Sequence, residues 1–153
     1  MADPGGLTLY LRRRLLAPPA AVFDACTDAQ QLAEWWGPHG FTAPGVDLDL
    51  PVGGSYRIAM QPPDGALFHL SGEFREIDPR ARLVYSFRWE NPDPEDRETV
   101  VTVSLRDLGE STEFGLVQTG FAIERRRALH EAGWTDSLDR LEQVLASRTS
   151  AGG

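Results

Sequence analysis

Few side chains in this 153-residue sequence carry types and spacings that could do chemistry, and most can be tested by elimination. Its three histidines, His39, His69 and His130, stand far apart, and no two have the i, i+4 spacing that puts ligands on one helix face. A zinc site needs three or four ligands converging on one point, so no metal is expected. The single cysteine, Cys26, ends the run Val22-Phe23-Asp24-Ala25-Cys26. A reactive thiolate needs an electropositive, partly open setting, so Cys26 reads as a small buried side chain. One cysteine also excludes an internal disulfide. The carboxylate pair Asp47 and Asp49 and the group Asp93, Glu95 and Asp96 lack an apolar neighbourhood that would raise a pKa for acid catalysis. Both read as solvated. No Gly-x-Ser-x-Gly elbow is present, and Ser71 before Gly72 lies on a strand pattern. No G-x-G-x-x-G loop occurs, and all 15 basic residues are arginine. Without lysine there is no Schiff-base or phosphate-loop amine. No cofactor is expected.

The order of elements shows what could position anything else. Leu7, Leu9 and Leu11 alternate with Thr8, Tyr10 and Arg12, as on a half-buried strand. Arg12-Arg13-Arg14 reads by default as a solvated run, but Arg13 shares the parity of Leu9 and Leu11, and its alternative is a pair with a carboxylate at the sheet edge. Ala17-Pro18-Pro19 ends the strand and opens a short helix with Val22, Phe23 and Cys26 on one face. Thr27 or Asp28 can cap a second short helix through Trp36, which Gly37-Pro38-His39-Gly40 stops. Strand patterns then run through Phe41–Leu50, Tyr56–Met60, Phe68–Phe74, Leu83–Trp89, Val101–Leu105 and Phe114–Gln118, separated by Gly- and Pro-rich turns such as Gly53-Gly54 and Pro62-Pro63-Asp64-Gly65. From Ala122 the period changes. Trp134, Leu138, Leu141 and Leu145 form one helical stripe, predicting a helix over Ala122–Ser147. Gly133 directly before Trp134 suggests close packing or a bend. The ends, 1–6 and 149–153, read as disordered, and 7–148 as one α+β domain. Short connections imply an antiparallel sheet, and only the last helix is long enough to cover it.

The segment Trp35-Trp36-Gly37-Pro38-His39-Gly40-Phe41-Thr42 resembles the family of activators of the heat-shock protein 90 ATPase, of the C-terminal-domain type, within the START-like superfamily. The likeness continues through Ala17-Pro18, Gly53-Gly54 with Tyr56-Arg57, Pro63-Asp64-Gly65, Arg82-Leu83-Val84-Tyr85, Phe87 with Trp89-Glu90, and His130, Gly133-Trp134 and Leu138. Arg13 matches the usual arginine of that family at its place. The resemblance implies a helix-grip fold: a curved antiparallel sheet of six to seven strands, two short helices at one end, and a long C-terminal helix over an internal pocket. The eukaryotic activators carry a separate domain that engages the chaperone, for which these residues leave no room.

The inward-facing aromatic and apolar residues read either as an ordinary core or as the lining of a cavity for an apolar ligand. Helix-grip geometry favours a pocket. Its candidate lining is Trp35, Trp36, Tyr56, Ile58, Met60, Phe68, Leu70, Tyr85, Phe87, Trp89, Val103, Phe114, Leu116, Gln118, His130, Trp134 and Leu138. Trp35, Tyr56, Met60, Phe87, Trp89 and Trp134 are expected to border it directly. The expected function is non-catalytic binding of a small hydrophobic molecule. One alternative is a polyketide cyclase-like enzyme, for which Tyr56, Gln118 and His130 are the available agents. Another is a cochaperone domain that touches a chaperone. A formal charge of -8 disfavours nucleic acid and anionic membranes as partners. No signal peptide or transmembrane span fits, so the expected location is the cytoplasm, as a monomer or homodimer.

Overall fold

A computed structural model describes residues 7–90, 92, 94 and 96–152, with side chains through 147. Residues 1–6 and 153 lie outside that range, as do Asn91, Asp93 and Glu95 of the turn and acidic group read from the sequence. The chain runs β1 (Leu7–Leu15), α1 (Pro19–Thr27), α2 (Ala29–Trp35), β2 (Thr42–Leu48), β3 (Ser55–Gln61), β4 (Phe68–Asp78), β5 (Arg82–Trp89), β6 (Thr99–Asp107), β7 (Thr112–Phe121) and α3 (Glu124–Gly152). One antiparallel sheet has the order β1-β7-β6-β5-β4-β3-β2. The final strand thus returns to pair with the first, while β2 to β7 form a meander.

The alternation seen in the sequence gives the inner face directly. Leu9 is fully buried while Tyr10 and Arg12 are exposed. On β6, Val101, Val103 and Leu105 turn inward, and on β7 Thr112, Phe114, Leu116 and Gln118 do so. Three register irregularities bend the sheet, one of them on β2 between Thr42 and Gly45. The β1–β7 register shifts between Leu7 and Thr8, beside Gly120 in the left-handed region at φ 111°. In β4, Arg75 is an extra residue between the pairs Phe74–Tyr85 and Glu76–Val84.

The short helices form where expected. Pro19 opens α1, and the Asp28 carboxylate accepts from the Gln31 N–H at 3.3 Å to cap α2. The Trp35 indole N–H donates to Ala25 O at 2.9 Å, locking α2 onto α1. Helix α3 begins at Glu124, two residues later than its pattern suggested, and continues past Ser147 to Gly152. Trp134, Leu138, Leu141 and Leu145 are all buried, as their stripe predicts. The helix packs on β1, β7 and α2. Its first turns are at most half-buried and extend over the inner face of β4 and β5. The cleft described below lies there.

Arg13 finds its carboxylates on this helix and not at the sheet edge, at 2.8 Å from Asp139 and 3.4 Å from Glu142. Close packing, one of the two readings of Gly133, is not found. A Cβ placed there meets only Pro38 Cγ, at 3.7 Å, so no close approach requires glycine.

Candidate functional site

A cleft of about 510 Å³ opens between the N-terminal half of α3, the 36–41 loop and strands β3 to β5. Of the residues read from the sequence as pocket lining, Trp36, Met60, Phe68, Leu70, Phe87, Trp89, His130 and Trp134 border it. Trp35, Tyr56, Ile58, Tyr85, Val103 and Phe114 lie behind it, around a void of only about 20 Å³ that Trp36 and Trp134 also line. That space is about one water molecule. Leu116, Gln118 and Leu138 are buried in the core outside both. The expected continuous pocket is thus divided. The divider is the edge-to-face contact of Trp36 with Trp134, with ring centroids 5.1 Å apart.

The aromatic walls interlock by edges. Phe87 and Trp89 meet at 5.1 Å and 87°, Phe41 and Phe68 at 6.3 Å and 85°. Such pairs are favoured by the ring quadrupole. Opposite them, the 36–41 loop is held to α3 by three side chains on one helix face. Ser137 Oγ accepts from Gly37 N at 3.0 Å, and an Asp136 oxygen accepts from His39 N at 3.3 Å. The Arg140 guanidinium donates to the carbonyls of Trp36, Gly37 and Phe41 at 3.0, 3.1 and 3.3 Å. These bonds fix both donors and acceptors of the loop that carries Trp36, Pro38 and Phe41 to the cleft.

The polar groups divide into those tied up behind the cleft and those within it. Tyr56 donates to Ser86 O at 2.6 Å, and burial, with Glu98 a lesser cause, pushes its phenol well above the ordinary range. Gln118 spends both ends of its amide: Oε1 accepts from the Trp134 indole at 2.7 Å, and Nε2 donates to Thr99 at 2.8 Å. Of the three residues considered as catalytic agents, only His130 borders the cleft. Cys26 is buried beside the small void, and burial pushes its thiol up to about 12. Asp96, read from the sequence as a solvated loop carboxylate, instead pairs with Arg126 at 3.3 Å, with side chains 10% and 18% exposed. Sequence reading missed this pair because Arg126 lies 30 positions away within a run of arginines. His69 stands near the open end of β4 and borders the cleft.

Outside the cleft floor, His39, Asp136 and Asp139 bring three potential ligand atoms within 4.8 Å of one another. Pairwise inspection of histidines could not reveal it. The Arg13 guanidinium at 2.8 Å from Asp139 already supplies positive charge there. The Arg13 hydrogen bond also holds the Asp139 carboxyl below its ordinary pKa.

Burial dominates the state of His130, lowering its pKa from 6.5 to about 4; Asp96 opposes the shift and Arg126 adds to it. Between those values the unfolded chain binds a proton that the folded chain does not. Stability from this group is therefore complete above pH 6.5 and falls as pH drops toward 4, by up to about 3 kcal/mol. In urea unfolding from pH 7 to 4, His130→Phe is expected to flatten that part of the profile. An unchanged slope would refute the assignment.

A curved seven-stranded antiparallel sheet gripped by a long C-terminal helix, with a cleft between them, is the arrangement of the helix-grip, START-like proteins. The family model described as "Activator of Hsp90 ATPase homolog 1-like protein" matches residues 16–146, and the chain belongs to that family. Protein CV1439 from Chromobacterium violaceum is 28% identical, covering 90% of this chain and 96% of its own, with a TM-score of 0.83. The AHSA1 protein SPO3351 from Silicibacter pomeroyi is 26% identical, covering 93% and 99%, at 0.81. Protein NE0264 from Nitrosomonas europaea is 25% identical, covering 97% and 99%, at 0.80. No curated protein matches the chain. Among the described residues, no helix is long and apolar enough to cross a membrane.

Proposed function

We propose that this protein binds a small apolar molecule in the cleft between α3 and the sheet, holding it without chemical change. The observation that carries the reading is the cleft itself. Its volume of about 510 Å³ falls in the range of ligand pockets, about 300–1,000 Å³, and its walls are mostly aromatic and aliphatic. The loop wall is preorganised by Asp136, Ser137 and Arg140, so little ordering is needed on binding. A cyclase-like reaction would need polar groups free to steer a substrate, and Tyr56 and Gln118 are committed to protein partners behind the cleft. A chaperone contact rests on family membership alone.

Native mass spectrometry of protein purified from its own host tests the proposal. The expected result is a non-covalent adduct, released on denaturation with its mass unaltered. A molecule released in chemically altered form would contradict the reading.

A further inference from the structure

His130 Nδ1, on a ring that borders the cleft, has no hydrogen-bond partner among the described residues. His130 borders the cleft, and its ring is wedged among Phe121, Phe87 and Trp89, with centroids 4.9, 5.3 and 5.7 Å away. Its Nε2 lies 3.4 Å from Trp89 Nε1. An indole N–H only donates, so Nε2 must accept. In a neutral imidazole the proton then sits on Nδ1. Among the described residues, no acceptor meets that Nδ1–H.

The charges around it restrict what can bind. The charged groups bordering the cleft are Asp96, Arg126 and Asp136, with His69 at the rim. Arg126 pairs with Asp96 at 3.3 Å, and Asp136 faces His39 at 3.5 Å. An anionic ligand would meet more carboxylate than guanidinium, and a cationic one would meet an N–H donor.

We infer that the ligand is an uncharged, ring-containing molecule bearing a carbonyl oxygen, and that this oxygen accepts a hydrogen bond from His130 Nδ1. The inference rests on the cleft-binding reading above. It adds the substrate class, an aromatic ketone, quinone or comparable neutral carbonyl compound. The aromatic walls take the rings, and the His130 donor fixes their orientation.

Three matched probes test it by calorimetry: 2-acetylnaphthalene, the near-isosteric 2-isopropylnaphthalene, and 2-naphthoate. In the wild type, the ketone should gain about three- to tenfold from its hydrogen bond. The affinity ratio of ketone to isopropyl compound should therefore fall by that factor in His130→Phe, and the carboxylate should bind weakest throughout. An unchanged ratio overturns the role of His130, and tightest binding of the carboxylate overturns the charge argument; in both cases cleft binding itself stands. If none of the three binds the wild type, the cleft reading fails and takes this inference with it. Imidazole nitrogen NMR of the wild type needs no variant. The Nδ1–H tautomer is expected, with an Nδ1 shift on adding the ketone and none on adding its isopropyl analogue. A free protein in the Nε2–H tautomer would overturn the assignment.

Discussion

Replacing Gly72 with alanine should destabilise the protein by at least about 3 kcal/mol, more than overpacking by one methyl usually costs. A Cβ at this position would stand 2.0 Å from Ser86 O and 2.7 Å from Tyr56 Cε1. Ser86 O belongs to the backbone of β5 and already accepts the Tyr56 hydroxyl at 2.6 Å. Neither neighbour can move without loss. Shifting the carbonyl separates β4 from β5, and shifting the tyrosine breaks a buried hydrogen bond and its ring contacts with Phe74 and Tyr85. Gly72 is therefore needed for close approach, as a small residue over which Tyr56, its partner in register, can lie. Urea unfolding monitored by circular dichroism measures the effect. A loss under about 1 kcal/mol, no more than an average substitution costs, would contradict this account.

Trp134→Ala should cost about 5 kcal/mol. Truncating a buried tryptophan costs about 3–5 kcal/mol through lost transfer energy and the cavity left behind. A further cost of about 1–3 kcal/mol follows from leaving Gln118 Oε1 buried without the indole donor. Domains of this kind have about 5–15 kcal/mol in total, so the variant should lie close to unfolding. Trp134→Phe separates the contributions: it keeps most of the packing and loses the donor, with an expected cost of about 1–3 kcal/mol. Equal losses in the two variants would show that packing contributes nothing beyond the hydrogen bond. Trp134→Ala also removes the ring that, with Trp36, separates the cleft from the small void behind it.

The residues that announced themselves in the sequence did so through local period. Alternation identifies β1, β6 and β7 because each side chain's face is set by its own position in the strand. The stripe of Trp134, Leu138, Leu141 and Leu145 identifies the buried face of α3 for the same reason, and Arg13 follows from the parity of Leu9. The cleft was legible only as a pool of inward aromatic residues. Its division depends on how Trp36 and Trp134 meet, and they lie 98 positions apart. Position in the chain likewise gave no sign that Asp136, Ser137 and Arg140 hold the 36–41 loop, that Asp96 pairs with Arg126, or that His39 lies beside Asp136. Gly133 misled in the opposite direction. Its neighbour Trp134 suggested crowding, but the space beside it is the cleft.

That open space permits the most direct test of the central claim, that the cleft is a binding site. Gly133 borders the cleft, and its Cβ position is in ordinary contact with Pro38 alone. In Gly133→Leu the new side chain should grow into the cleft, while replacing glycine within a helix favours the fold by about 0.5–1 kcal/mol. Binding and stability should therefore separate. The decisive measurement is a titration of wild type and Gly133→Leu with 2-acetylnaphthalene, beside their thermal unfolding. The account predicts at least a tenfold loss of affinity with an unfolding midpoint equal to or above that of the wild type. Undiminished affinity in a folded Gly133→Leu protein would place the ligand elsewhere and contradict it.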